Sequence, residues 1–112
     1  MQEFPITVRK VWGKEVWLVN EPEYCAKYLH IDKDAQSSLH YHTIKKETFI
    51  CLSGVLKLEL GNEVNFMKPD SPPLTICKGQ IHRMKGITDA VILEISTHHE
   101  DNDVVRIEES KK

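Results

Sequence analysis

His40 and His42 stand two residues apart, Glu47 follows after the four-residue stretch Thr43-Ile44-Lys45-Lys46, and His82 comes much later, three residues after Gly79. In an extended segment the side-chain period of two puts both imidazoles of His40 and His42 on one face, where they can share an ion. Glu47 opens the next apolar-alternating stretch and offers a carboxylate, and His82 can close the site from another strand. Three neutral imidazoles and one carboxylate suit Zn, Mn, Fe, Co or Ni, whereas Ca and Mg prefer all-oxygen shells. The reading is therefore one divalent transition metal ion held by His40, His42, Glu47 and His82. A lone histidine at any of these places would more often be solvated or hydrogen-bonded than metal-bound. The joint spacing argues for a site: His-x-His, four residues, Glu47, six residues, Gly54, and later Gly79-x-x-His82.

Such ligands need rigid strands to aim them, and the rest of the chain reads as strands. Leu56, Leu58 and Leu60 alternate with Lys57 and Glu59 and run into Gly61-Asn62, a tight-turn pair. Similar short stretches cover Val16 to Val19, Tyr24 to Ile31, Ser37 to His42, Glu47 to Leu52, Glu63 to Met67, Leu74 to Cys77, His82 to Met84 and Ala90 to Thr97. Ile6 to Val11 is also strand-like but has no evident partner. Pro69-Asp70-Ser71-Pro72-Pro73 cannot sit inside a sheet, because three of its five residues lack an N–H donor. That many short strands without a convincing helix predict an all-β sandwich or closed barrel, and a jelly roll fits both. The terminal Glu-Glu-Ser-Lys-Lys is expected to fray.

A length of 112 residues suits one domain with a modest core. The organisation expected is a single domain over 1–112, with an N-terminal arm (1–15), a barrel (16–98) and a C-terminal segment (99–112). Fifteen Lys and Arg against seventeen Asp and Glu give a formal charge of -2, so no global field recruits nucleic acid or an anionic membrane. Apolar runs such as Ala90 to Leu93 fall far short of the roughly 20 residues that cross a bilayer. The N-terminus, Met-Gln-Glu-Phe-Pro, lacks the basic start and apolar stretch of a secretory signal, so a cytoplasmic address is expected. Cys25, Cys51 and Cys77 are odd in number and widely spaced, which suits reduced, buried thiols better than a disulfide framework.

At its histidines the chain resembles the cupin superfamily. The first cupin motif, Gly, five residues, His-x-His, three or four residues, Glu, six residues, Gly, is matched by His40, His42, Glu47 and Gly54, with Asp34 in place of the leading Gly. The second, Pro-x-Gly-x-x-His with an Asn four residues on, reads Cys77-Lys78-Gly79-Gln80-Ile81-His82, with Gly86 in the Asn place. A closer likeness is to the small cupins of the type II phosphomannose isomerase and sugar isomerase group. It rests on Trp12-Gly13, Lys27, Ser38-Leu39 and the acidic run Asp101-Asn102-Asp103 leading into Val104-Val105-Arg106. That group has Gln where this chain has His40 and Arg where it has Lys45.

The resemblance implies a cupin-type double-stranded β-helix and a metal-dependent isomerase or epimerase acting on a sugar or sugar phosphate. Such chemistry moves a hydrogen between adjacent carbons and needs a base near them. Glu94 is one candidate, if alternation aims it into the barrel, and Lys27 is the other, since an inward lysine needs a partner. Lys45, Arg83 and Arg106 are candidates for a phosphate or carboxylate clamp. Trp12 and Trp17 could cover a barrel end or stack on a sugar ring, with core packing favoured for Trp17. His98, His99, Glu100 and Asp101 could close the barrel mouth, act as an acid–base relay or form a solvated loop. Two other readings stand beside the isomerase: an oxygen-using cupin dioxygenase of a small organic substrate, and a non-catalytic small-ligand binding module. A homodimer is implied at the family level, through edge strands or swapped termini.

Overall fold

The computed structural model describes residues 3–112; Met1 and Gln2, with which the reading of the N-terminus begins, lie outside the described residues. Among the described residues, eleven strands form two sheets. One sheet has the order β1 (Ile6–Lys10), β2 (Gly13–Asn20), β3 (Cys25–Ile31), β10 (Ala90–Ser96), β5 (Glu47–Ser53), β8 (Leu74–Ile76). The other has the order β11 (Val104–Glu108), β4 (Leu39–His42), β9 (His82–Gly86), β6 (Leu56–Leu60), β7 (Glu63–Met67). All ladders between these strands are antiparallel. This is the all-β jelly-roll barrel expected. No helix among the described residues is long and apolar enough to cross a membrane.

Strict alternation fixes which side chains face inward. In β3 Cys25, Lys27, Leu29 and Ile31 are buried while Ala26, Tyr28 and His30 are not; β5 and β10 show the same period. The register sorts the inward residues by height. Ile92 sits opposite Leu29 on one side and Cys51 on the other, within the apolar core with Phe49, Leu56, Leu58 and Met84. Further along the same strands, Glu94 faces Lys27 and Ser96 faces Glu47. The barrel is therefore packed apolar at one end and polar at the other, and the polar end holds the candidate ligands.

Two glycine positions show why the motif spacing persists. Gly54 sits at φ 76, and a Cβ there would lie 2.0 Å from the Asp89 carbonyl oxygen, so only glycine fits between the β5–β6 corner and the loop before β10. Asp34, at the place of a motif glycine, adopts φ 67, a left-handed conformation that Asp tolerates better than most residues. The turn is kept with a different residue.

Several expectations are corrected. Ile6–Lys10 is not partnerless; it forms a hairpin with β2, pairing Ile6 with Trp17 and Lys10 with Gly13. β11 is a strand the alternation did not reveal, because this edge segment, Val-Val-Arg-Ile-Glu, is exposed at every residue after Val104. The last residues do not simply fray: Lys111 exchanges two backbone hydrogen bonds with Gln36, at 2.7 and 2.8 Å. Cys25 and Cys51 are buried, but Cys77 is exposed, since it lies in the turn after β8. Its backbone N–H donates to the Gln80 side-chain oxygen (3.1 Å), a bond that proline at this place could not make.

Candidate metal centre

His40 and His42 project from β4 and His82 from β9, with His40 directly opposite His82 in the ladder. Their ligand nitrogens all lie within 4.8 Å of one another. The turn before β9 brings the two motifs together: the Gly79 N–H, at φ 78, donates to the His42 carbonyl (2.7 Å). The next residue then aims the ligand. The Gln80 carbonyl accepts from Nδ1 of His82 at 2.9 Å.

Nδ1 of His40 is 2.9 Å from the Ser38 carbonyl, while Nδ1 of His42 is buried, makes no hydrogen bond and lies 3.3 Å from Oδ2 of Asp103. A carbonyl only accepts, so in His40 and His82 the proton sits on Nδ1 and the lone pair on Nε2. Burial, aided by the neighbouring imidazole of His82, pushes His40 down to about 4, and burial likewise lowers His82. Both rings are neutral. Oε2 of Glu47 lies 3.2 Å from Nε2 of His42 and 3.5 Å from Nε2 of His82, is buried, and has no hydrogen-bond partner. Burial alone would raise the Glu47 carboxyl, but the opposing charges around it, the Lys45 ammonium first, hold it at about 2. An ionised carboxylate oxygen facing an imidazole lone pair is a repulsive pairing unless a cation lies between them. The orphaned oxygen and the nitrogens around it thus fit a divalent ion.

Asp103 is the residue that sequence reasoning did not put in the site. It is buried in a short 3₁₀ turn (Asp101–Asp103) before β11. Its Oδ1 accepts from the Thr43 hydroxyl (2.7 Å) and the Ile44 N–H (2.6 Å), and its Oδ2 accepts from the Lys45 N–H (3.1 Å). Burial raises its carboxyl, yet these donors overcome that and keep it below the usual range. One carboxylate therefore both ties down the loop between His42 and Glu47 and backs the His42 ring. A partner of this kind behind a ligand is worth about 10–100-fold in metal affinity. Asp103→Ala should lose metal to a competing chelator by that factor relative to wild type; unchanged competition would show that Asp103 only braces the loop.

The cluster opens into a cavity of ≈ 690 Å³ whose lining includes Lys27, Lys45, Glu94, Trp17, His99 and Arg106. Glu94 and Lys27 both face inward, as alternation allowed. Lys45 is also buried, and its Nζ sits 2.7 Å from Oε2 of Glu94 and 3.8 Å from Oε1 of Glu47. Burial would lower the Lys45 ammonium, but these two carboxylates win and raise it. Its charge is engaged by these two carboxylates at the cavity wall. Arg83 is a correction: it neighbours inward His82 and so points outward, where it pairs with Glu59 (2.9 Å) and Glu108 (2.8 Å). Arg106 stands exposed at the cavity mouth. Both tryptophans border the cavity: Trp12 is buried and packs on the core as well, and half-buried Trp17, for which core packing was favoured, has its ring face 4.3 Å from Nζ of Lys27.

A family model described as Mannose-6-phosphate isomerase C-terminal matches residues 2–109. The mannose-1-phosphate guanylyltransferase of Sinorhizobium fredii (strain NBRC 101917 / NGR234) is 21% identical over 116 residues, which cover 100% of this chain and 22% of that protein. The chain thus spans about a fifth of that relative's length. A Streptomyces Pac13 variant with uridine superposes with a TM-score of 0.80 at 10% identity, covering 96% of this chain and 93% of the other. The cupin domain of Schizosaccharomyces pombe Cnp3 gives a TM-score of 0.70 at 17% identity, covering 77% and 64%. At such identities the structural likeness speaks to the fold alone, and that fold is the cupin barrel.

Proposed function

Because the chain belongs to the mannose-6-phosphate isomerase C-terminal family of small cupins, we propose that it is a metal-dependent isomerase or epimerase acting on a sugar or sugar phosphate. The observation that carries this reading is the meeting, in one cavity, of a metal-competent wall with two inward groups able to move protons, Glu94 and Lys27. The relatives with named activities also handle sugar-bearing compounds: a guanylyltransferase of mannose 1-phosphate and, in Pac13, a nucleoside dehydratase.

His40, His42, Glu47 and His82 would hold the ion. When bound it would supply Lewis-acid stabilisation of negative charge developing on two adjacent sugar oxygens. The chain's own residues do the rest. Glu94 and Lys27 are register partners on neighbouring strands, so they reach the cavity at the same level. Glu94, an acceptor when ionised, is the base for the carbon-bound hydrogen. Lys27, a donor, hydrogen-bonds a sugar oxygen and can give it a proton. Trp17 offers a flat apolar wall to the C–H face of a ring. Arg106 at the mouth is placed for an anionic end of the substrate.

Incubating Zn-, Mn-, Fe-, Co- or Ni-loaded protein with a panel of aldoses, ketoses and their phosphates in deuterated water should place deuterium at C2 of one of them, read by NMR. No exchange across the panel with any of these metals would reject the isomerase and epimerase reading.

A further inference from the structure

Lys27 is the most deeply buried cation of the chain's described residues, with only 1% of its surface exposed. Its surroundings are built around it. Nζ lies 3.6 Å from Oε1 of Glu15, over the Trp17 ring, and 3.0 Å from Nδ1 of His99. On its other side, His99 places Nε2 2.8 Å from Oδ1 of Asp101. An ionised carboxylate only accepts, so Nε2 carries the ring proton. Burial and the nearby Lys27 ammonium keep the ring neutral, which leaves Nδ1 as the acceptor for Lys27. The direction of every hydrogen bond in the chain Lys27–His99–Asp101 is thereby fixed.

The imidazole is held in place from every side. The Asn20 side chain clamps its backbone, accepting from the His99 N–H (2.9 Å) and donating to the His99 carbonyl (3.3 Å). Trp17 meets the ring edge-on, with centroids 4.8 Å apart. Exposure rises along the series: the side chains of Lys27, His99 and Asp101 are 1%, 15% and 92% exposed. Neighbouring His98, by contrast, turns its Nδ1 to the Glu21 carbonyl (3.0 Å).

We propose that Lys27, His99 and Asp101 form a proton relay that joins the buried amine in the cavity to bulk solvent. In the outward step the N–H bond at Nζ of Lys27 breaks as one forms at Nδ1 of His99. The Nε2–H bond breaks as its proton passes to Asp101 or to water beside it. The ring ends in the other tautomer, Lys27 ends as the neutral amine, and one proton reaches solvent; the reverse step reloads the lysine. The catalytic use of the relay rests on the isomerase reading above, where Lys27 must recover each proton it gives to a sugar oxygen. Its existence does not.

The test is therefore made without sugar, on Zn-loaded, 15N-labelled protein. Ring nitrogen shifts should report the Nε2–H tautomer of His99. The Lys27 ammonium signal, assigned by its loss in Lys27→Met, should exchange with water about 10-fold or more slowly in His99→Asn. That variant keeps an acceptor near the Nδ1 place but cannot pass a proton. Asp101→Ala, at an exposed position that carries no packing, should slow exchange in the same direction and guards against misfolding of the first variant. An Nδ1–H tautomer, or unchanged exchange in both variants, would overturn the relay. A sugar panel that fails in the deuterium test leaves these readouts as they stand and removes only the functional reading.

Discussion

His42→Ala protein, purified beside wild type from metal-replete medium, should carry no more than about a tenth of the bound metal by elemental analysis. The expectation rests on the convergence of three imidazoles within 4.8 Å and on the partnerless Glu47 oxygen between two of them. His42 is the most informative ligand to remove. It faces Glu47 through Nε2 (3.2 Å) and the backing carboxylate Asp103 through Nδ1 (3.3 Å). Its loss takes one ligand and removes the ring that Asp103 backs, while Asp103 keeps its donors from Thr43, Ile44 and Lys45. Metal that binds only the folded state also stabilises it, by about 2.7 kcal/mol at a free concentration 100-fold above Kd. For a domain of this size that corresponds to roughly 10 °C in Tm. Wild type should lose such an increment on treatment with a chelator and regain it on metal addition, and His42→Ala should show neither change. Equal metal content in the two proteins would refute the site.

The ligands were legible because their geometry is local. Period two puts His40 and His42 on one face, and the turn glycines keep their spacing to Glu47 and His82 whatever the rest of the chain does. The same parity places Arg83, next to inward His82, on the outside of the barrel, so its exclusion from the cavity was also readable. Partners distant in sequence were not. Asp103 meets Thr43, and His99 meets Lys27, across separations of 60 and 72 residues. Period and spacing carry no information about which long loop returns to which strand end. The acidic run before Val104 was the one available signal for both. The core preference for Trp17 failed for a related reason, since its cavity-side neighbour His99 returns from far along the chain, while Trp12, in a hairpin turn where alternation does not apply, meets both the core and the cavity. The carboxylate partners of Lys45 were only half legible, because one lies on β5 just after it and the other on β10, which pairs with β5 from far along the chain.

That buried triad makes the second large effect. Lys45→Met should destabilise the protein by about 3–5 kcal/mol in urea unfolding, because it leaves Glu94 and Glu47 without their shared cation in the barrel interior. Glu94→Leu should cost less, since Lys45 keeps Glu47 at 3.8 Å. If the Lys45–Glu94 contact at 2.7 Å is a coupled pair, the double variant Lys45→Met/Glu94→Leu should be more stable than the sum of the two singles by about 1–3 kcal/mol. Additive losses would mean that each residue acts only through its own packing. The proposed activity supplies the complementary reading. Deuterium exchange at the sugar carbon should be abolished in both variants that lack Glu94, the stability recovered in the double variant notwithstanding. Stability depends on whether the buried charges balance, whereas proton abstraction depends on the carboxylate itself, so the double variant separates a residue kept for the fold from one kept for the chemistry. Exchange persisting without Glu94 would move the role of base to Lys27, the other inward group of the same register pair.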